Sequence, residues 1–149
     1  MKFANNIHLR VFCKSDDQEE QIVNGLLFIS GFSLSELEDE KVEIKKLKAK
    51  GFSENIFIFE LLFVKDRHIN RVLKHINSNL SSNDKRYLVE QDNRLDDNLD
   101  FFIRLSKPLI LENSFELTDG GDCFHIKINI AAFPKKKVVA KEKIKEIFS

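Results

Sequence analysis

The residues able to do chemistry in this chain are scattered rather than assembled. The four histidines are His8, His68, His75 and His125. His68 and His75 are seven apart in a helical segment, which keeps them on one side but ~10 Å apart along the axis, too far to share a metal unaided. His8 and His125 fall in two strand-like segments and read as a cross-strand polar pair. No metal or other cofactor is therefore expected. Cys13 and Cys123 form no CxxC pair and read as buried free thiols of a reducing compartment; a disulfide would need them on adjacent strands. Gly120-Gly121 precedes a strand, whereas a phosphate cradle leads into a helix. Neither a nucleophile elbow nor a zincin pattern occurs, and the acidic run 92–100 reads as a solvated loop. With no catalytic constellation, a non-enzymatic role is expected. The remaining chemistry is cationic: Lys45, Lys46, Lys48, Arg104, Lys135, Lys136 and Lys137 are the candidate contacts to RNA phosphates, through sequence-independent and salt-sensitive attraction. The last cluster reads first as the wet face of a terminal helix, and second as a phosphate contact.

The elements that must position these groups belong to one domain spanning 1–149, since 149 residues suffice for a single core. Apolar residues make up 42% and charged residues 32%, a balance that excludes a disordered chain. The 24 basic and 24 acidic side chains cancel, which argues mildly against a protein dedicated to wrapping nucleic acid. The charge is nonetheless segregated, with acidic runs at 36–40 and 92–100 and basic ones at 45–50 and 135–145. No signal peptide is legible after Met1, and the longest apolar stretch, 56–64, is broken by Glu60 and falls short of the ~20 residues that span a bilayer. A cytoplasmic protein without a membrane partner is expected.

Periodicity then orders the chain. Residues 3–14 alternate as a half-buried strand, with Ile7, Leu9, Val11 and Cys13 on one side and His8, Arg10 and Phe12 on the other. Ser15-Asp16-Asp17 caps a helix striped by Ile22, Leu26 and Ile29 and ended by Gly31. Residues 38–50 read as a strand whose phase changes at a bulge near Lys45-Lys46. Gly51-Phe52-Ser53 makes a turn, and 55–64 is apolar on both parities, as in a strand covered on both faces. Asp66 caps a second helix carrying Ile69, Val72, Leu73 and Ile76, and 81–84 starts a third, short one. Residues 99–105 form another strand. Pro108 breaks the pattern beyond it, leaving 109–117 irregular or a short edge. Residues 123–133 are the clearest strand, and 135–148 form a last helix with Val138, Ile144, Ile147 and Phe148 inward. The predicted fold is α+β: two layers, a mostly antiparallel sheet of about five strands, and helices packed on one face.

Aligning the strands by parity yields a second sheet face. Leu9, Val11, Val42, Ile44, Ile58, Ile103, Ile126 and Ile128 read as core. Opposite them fall Arg10, Phe12, Phe57, Phe59, Phe63, Phe102, Arg104, His125 and Lys127, with Lys45 at the margin. A solvated face should not carry that much Phe, so a partner is implied. A second copy of the chain would meet Phe12, Phe57, Phe59, Phe63 and Phe102, giving a homodimer. Single-stranded RNA would stack its bases on Phe and meet Arg and Lys with its phosphates. Alternatively, helices cover both faces, against which the charges of Arg10, Arg104 and Lys127 count.

The stretch 117–134, Leu-Thr-Asp-Gly-Gly-Asp-Cys-Phe-His-Ile-Lys-Ile-Asn-Ile-Ala-Ala-Phe-Pro, resembles a family of small archaeal proteins described as RNA-binding or exosome-associated. Their shared pattern is an Asp-Gly turn, a His-containing alternating strand, and Ala-Ala-aromatic-Pro before a terminal helix. The opening Arg10-Val11-Phe12 with Asp16-Asp17-Gln18-Glu19-Glu20, and the central Gly51…Asn55 turn, are similar too. The resemblance implies a two-layer α+β fold like that of the large-subunit ribosomal protein that holds the small ribosomal RNA. It also implies a dimer, a possible larger RNA-processing complex and no catalytic residues. A structural or assembly protein that binds only protein through the Phe-rich face is the alternative.

Overall fold

In the computed structural model, which describes residues 2–51 and 55–149, the central strand β1 (Ala4–Cys13) sets the frame. Its residues Ile7, Leu9 and Val11 are fully buried, whereas His8, Arg10 and Phe12 are half-buried on the other side. Helix α1 (Glu19–Ser30) lays Ile22, Leu26 and Ile29 into the core, and Gly31, at φ 76°, closes it by donating its N–H to the Leu27 carbonyl. A glycine inside a helix costs about 1 kcal/mol relative to alanine; at Gly25 any Cβ would run into the ring of Phe124, so the residue sets how closely α1 approaches the sheet.

After α1 come α2 (Leu34–Asp39), β2 (Ile44–Lys48), β3 (Phe57–Phe63), α3 (Asp66–Asn79) and α4 (Ser82–Glu90). The chain continues through β4 (Asp100–Ser106), α5 (Lys107–Leu111), β5 (Cys123–Ile130) and α6 (Lys137–Ile147). The strands pair antiparallel throughout in the order β2-β3-β1-β5-β4. The apolar stripes of the helices meet one face of this sheet in a single core, so the fold is the expected two-layer α+β arrangement.

Several local expectations change. Residues 34–39 are helical because Ser33 and Glu36 form a capping box: the Ser33 hydroxyl accepts the Glu36 N–H at 3.2 Å, and the Glu36 carboxylate accepts the Ser33 N–H at 3.1 Å. Strand β2 runs without a bulge, from Ile44 opposite Leu61 to Lys48 opposite Phe57, and Leu47 consequently faces outward at 46% exposure. Val42, whose phase suggested the bulge, lies before the strand and bonds back to Leu37. α1 is entered through Gln18, and Asp66 is the first residue of α3 rather than its cap. Residues 107–111 form a helix, with the Ser106 hydroxyl accepting the Leu109 N–H and Pro108 in the first turn, where it needs no donor. β5 stops at Ile130 and α6 starts at Lys137, leaving Val138 exposed. Of the predicted turn at 51–53, Phe52 and Ser53 lie outside the described residues.

The largest correction concerns β3. Ile7 pairs with Phe63 and Val11 with Phe59, so Phe57, Phe59 and Phe63 point to the helix layer. Phe59 and Phe63 are buried in the core, and Phe57 packs against it. Ile58, Glu60 and Leu62 take the open side instead. Cys13 and Cys123 are buried free thiols on neighbouring strands, but Cys13 shares the parity of Val11 and Cys123 that of His125, so they sit on opposite faces.

The two sheet edges are treated differently. Alongside β4, the Ser106 N–H bonds to the Glu116 carbonyl at 2.9 Å and the Thr118 N–H to the Arg104 carbonyl at 3.0 Å. At the other edge, β2 presents Lys45, Lys46 and Lys48.

Candidate nucleic-acid interface

The register brings the polar residues of the open face into rows. The central row crosses all five strands as Lys45, Glu60, Arg10, His125 and Arg104. On one side of it lie Leu62, His8, Lys127 and Phe102; on the other lie Leu47, Ile58 and Phe12. Four cationic side chains thus share this face with the carboxylates of Glu60 and Asp100, although the whole chain is neutral.

The cations are only partly neutralised. Arg10 lies over the Phe12 ring at 5.4 Å, and its Nε is buried with no acceptor among the described residues. Arg104 donates to the Asp119 carbonyl at 3.2 Å. Phe102 is 42% exposed beside Lys127. A hollow of about 620 Å³ opens between Phe12 and Phe102, walled by His8, Arg10, Arg104, His125 and Lys127. Planar guanidinium groups beside aromatic rings suit an anionic ligand that also carries flat apolar rings.

The two histidines do not pair with each other. His8 approaches Glu60 at 3.6 Å, and His125 approaches the Cys123 sulfur at 3.4 Å. Burial, followed by the charges of Arg104 and Arg10, holds the His125 pKa below its ordinary value. For His8 burial again dominates, reinforced by Lys127 and Arg10, and Glu60 only partly offsets it. Both rings therefore favour the neutral form more than a free imidazole does, and a nearby anion would oppose that shift.

The predicted phosphate contacts separate. Lys45 and Arg104 lie at the two ends of the central row. Lys46 turns to the helix side of β2, 2.9 Å from Glu19 and 4.4 Å from the Phe57 ring centroid, and Lys48, opposite Phe57, shares its side. Lys137 pairs with Asp97 and Lys141 with Asp92, both at 3.1 Å, so the wet face of α6 is tied to the acidic loop. Lys135 and Lys136 are exposed before α6, beyond the end of β5 and outside the central row. Of the predicted association residues, only Phe12 and Phe102 lie on the open face.

The candidate set had omitted Arg10 and Lys127, which parity alone places on this face, and His8, whose parity was equally legible. Elsewhere, His68 is buried 3.2 Å from Glu40 and His75 bonds to the Phe28 carbonyl at 2.8 Å, so both serve the helix layer. No cluster of three metal-ligating side chains occurs among the described residues. Nor is any described helix long and apolar enough to cross a membrane.

Comparison with known proteins adds an independent line. The model of a family described as RNA binding matches residues 6–130. An RNA-binding protein of Pyrococcus abyssi, PAB1135, is 26% identical over 145 residues, covering 96% of this chain and 92% of that one. The crystal structure of protein AF2318 from Archaeglobus fulgidus superposes with a TM-score of 0.81 at 19% identity, over 100% of both chains. The structure of Mth689 from Methanothermobacter thermautotrophicus gives 0.78 at 23% identity, over 99% of this chain and 100% of that one. At these identities the two structures establish a shared fold.

Proposed function

Since the chain belongs to the family described as RNA binding, we propose that it is a non-catalytic module that holds single-stranded RNA on the open face of its sheet. The observation carrying this reading is Arg10 and Arg104 with Lys127 beside them, set between the Phe12 and Phe102 rings over one hollow, with Lys45 beyond Glu60 at the far end of the same row. Phosphates meet the cations, and bases stack on the rings. In a larger cytoplasmic RNA-processing assembly, such a module would present the bound RNA to other proteins.

Titration of a labelled single-stranded RNA against salt tests the reading. Four phosphate contacts give log K a slope of about −3 against log salt, at about 0.7 per contact. No binding at low salt, or affinity that is flat in salt, overturns it.

A second reading concerns the β2–β3 end of the same face. Leu47, Leu62 and Val64 are 46%, 48% and 61% exposed there. This apolar margin suits a second copy of the chain, which would also cover Lys45 and leave Arg10, Arg104 and Lys127 for RNA. Under this reading Leu62→Asp shifts a dimer to monomer in sedimentation, and a folded variant that stays dimeric excludes the margin as the interface.

A further inference from the structure

We infer that the segment leaving the sheet after β5 is a second station for the same RNA strand, with Phe133 as the stacking platform for one base and Lys2, Lys135 and Lys143 as contacts for the flanking phosphates. The inference rests on the reading of the open face as an RNA surface.

Phe133 is 96% exposed, whereas Phe59, Phe63, Phe101 and Phe124 are at most 3% exposed. The ring does not hang on a loose loop. The Ile130 N–H is bonded to the Leu99 carbonyl and the Ala131 N–H to the Phe3 carbonyl, each at 2.9 Å, so the backbone is fixed on both sides two residues before the ring. A groove of about 460 Å³ runs alongside, with Asn5 and Asn129 as its polar floor and Lys2, Lys135 and Lys143 on its rim. Ala131 and Ala132 project little, which leaves the ring accessible from the groove. The Lys143 ammonium is positioned by the Lys2 carbonyl at 2.6 Å. Lys2 lies 3.8 Å from Asp66 with both side chains more than half exposed, and Lys135 has no ion-pair partner among the described residues.

The groove is continuous with the open face. Asn129 occupies the row beyond Lys127, opposite Asp100, and accepts the Asn5 amide at 2.8 Å while donating to Asp100 at 2.9 Å. From Lys127 to Ile130 is three residues, or ~10 Å of strand. A strand of RNA leaving Phe102 and Lys127 thus crosses the asparagines and reaches Phe133. One isolated ring among ammonium groups and amides suits a nucleobase, which offers a flat π-face and flanking negative charge. A protein partner would call for a ring of near-neutral contacts around the aromatic to exclude water, and here the surroundings are charged and wet.

The test compares two labelled oligouridylates, about four and about twelve nucleotides long, spanning the site sizes that single modules occupy. With the full chain, Phe133→Ala weakens the longer RNA about tenfold, the order of one base stack, leaves the shorter one unchanged, and Phe133→Trp restores the loss. Lys135→Gln with Lys143→Gln lowers the salt slope for the longer RNA by about 1.4, at 0.7 for each phosphate contact. If Phe133→Ala binds the longer RNA as wild type while Arg104→Gln still weakens it, the second station is overturned and the open-face reading survives. If wild-type protein binds neither RNA, both are overturned. A change in sedimentation of folded Phe133→Ala would place the ring in a protein contact and likewise overturn the station.

Discussion

The two faces of β1 place alternating residues of one strand in opposite situations. Ile7, Leu9 and Val11 have no exposed surface. Their neighbours His8, Arg10 and Phe12 are half-covered and line a hollow, and Arg10 brings a charge to it. The buried side follows one rule, removal of apolar area from water, and its residues are interchangeable in kind if not in volume. The open side half-buries its imidazoles close to guanidinium groups, and burial first, then those charges, depress the histidine pKa values. An arrangement that contributes little to stability and accumulates like charge is expected where a ligand of opposite charge supplies the balance.

The sharpest way to break this contrast is to alter each side separately. Leu9→Ala leaves a cavity in the core and costs about 2–5 kcal/mol. For a domain of this size that lowers Tm by roughly 10 °C, at 2–4 °C per kcal/mol. Calorimetry should show this loss while RNA affinity per folded molecule is unchanged. The paired change Arg10→Gln and Arg104→Gln should do the reverse. Each lost charge-assisted contact is worth about 1.5–3 kcal/mol, so with two lost the affinity at low salt falls about a hundredfold or more with Tm nearly constant. Equal effects of both variants on Tm and affinity would erase the distinction between the faces.

A smaller effect sharpens it. A folded-state pKa below the unfolded value means that the free folded protein resists protonation of His8 and His125. Acidification through the ordinary value of 6.5 therefore favours the unfolded chain, and the loss ends once the folded rings are charged. Bound polyanion reverses the preference at the open face. RNA affinity should rise a few-fold from pH 8 to pH 6, and His125→Gln should flatten that rise without removing binding.

The contrast between the faces was legible in part. In β1 and β5 one parity is apolar and the other polar, so burial could be read directly. In β3 both parities are apolar, and its phase is fixed by pairing with β1, a long-range fact. The readable signal was Glu60: a carboxylate at the parity of Ile58 and Leu62 marks that side as the wet one. Assigning the face by aromatic content instead put Phe57, Phe59 and Phe63 on the wrong side. The same weighting of side-chain type over local pattern hid two helices. Ser33 with Glu36 spells a capping box, and Pro108 after Ser106 marks a helix start as well as a strand stop. The candidate cations fared unevenly because lysine reaches water from many positions. Parity separated Lys45 from Lys46, but the ion pairs of Lys137 and Lys141 with the acidic loop depend on packing between α6 and residues far away in sequence.

The edges of the sheet carry a consequence for how copies of this protein can meet. The segment at 116–118 occupies the outer side of β4, so among the described residues the edge left for strand addition is β2. Two β2 strands joined antiparallel about a two-fold axis would bring Lys45, Lys46 and Lys48 of each copy alongside one another, and like charges at paired positions repel. Edge-to-edge pairing of two copies is thus opposed in dilute buffer. Salt or a bound polyanion that neutralises those lysines removes the brake, so the colloidal behaviour of the protein is tied to its ionic surroundings through a single five-residue strand.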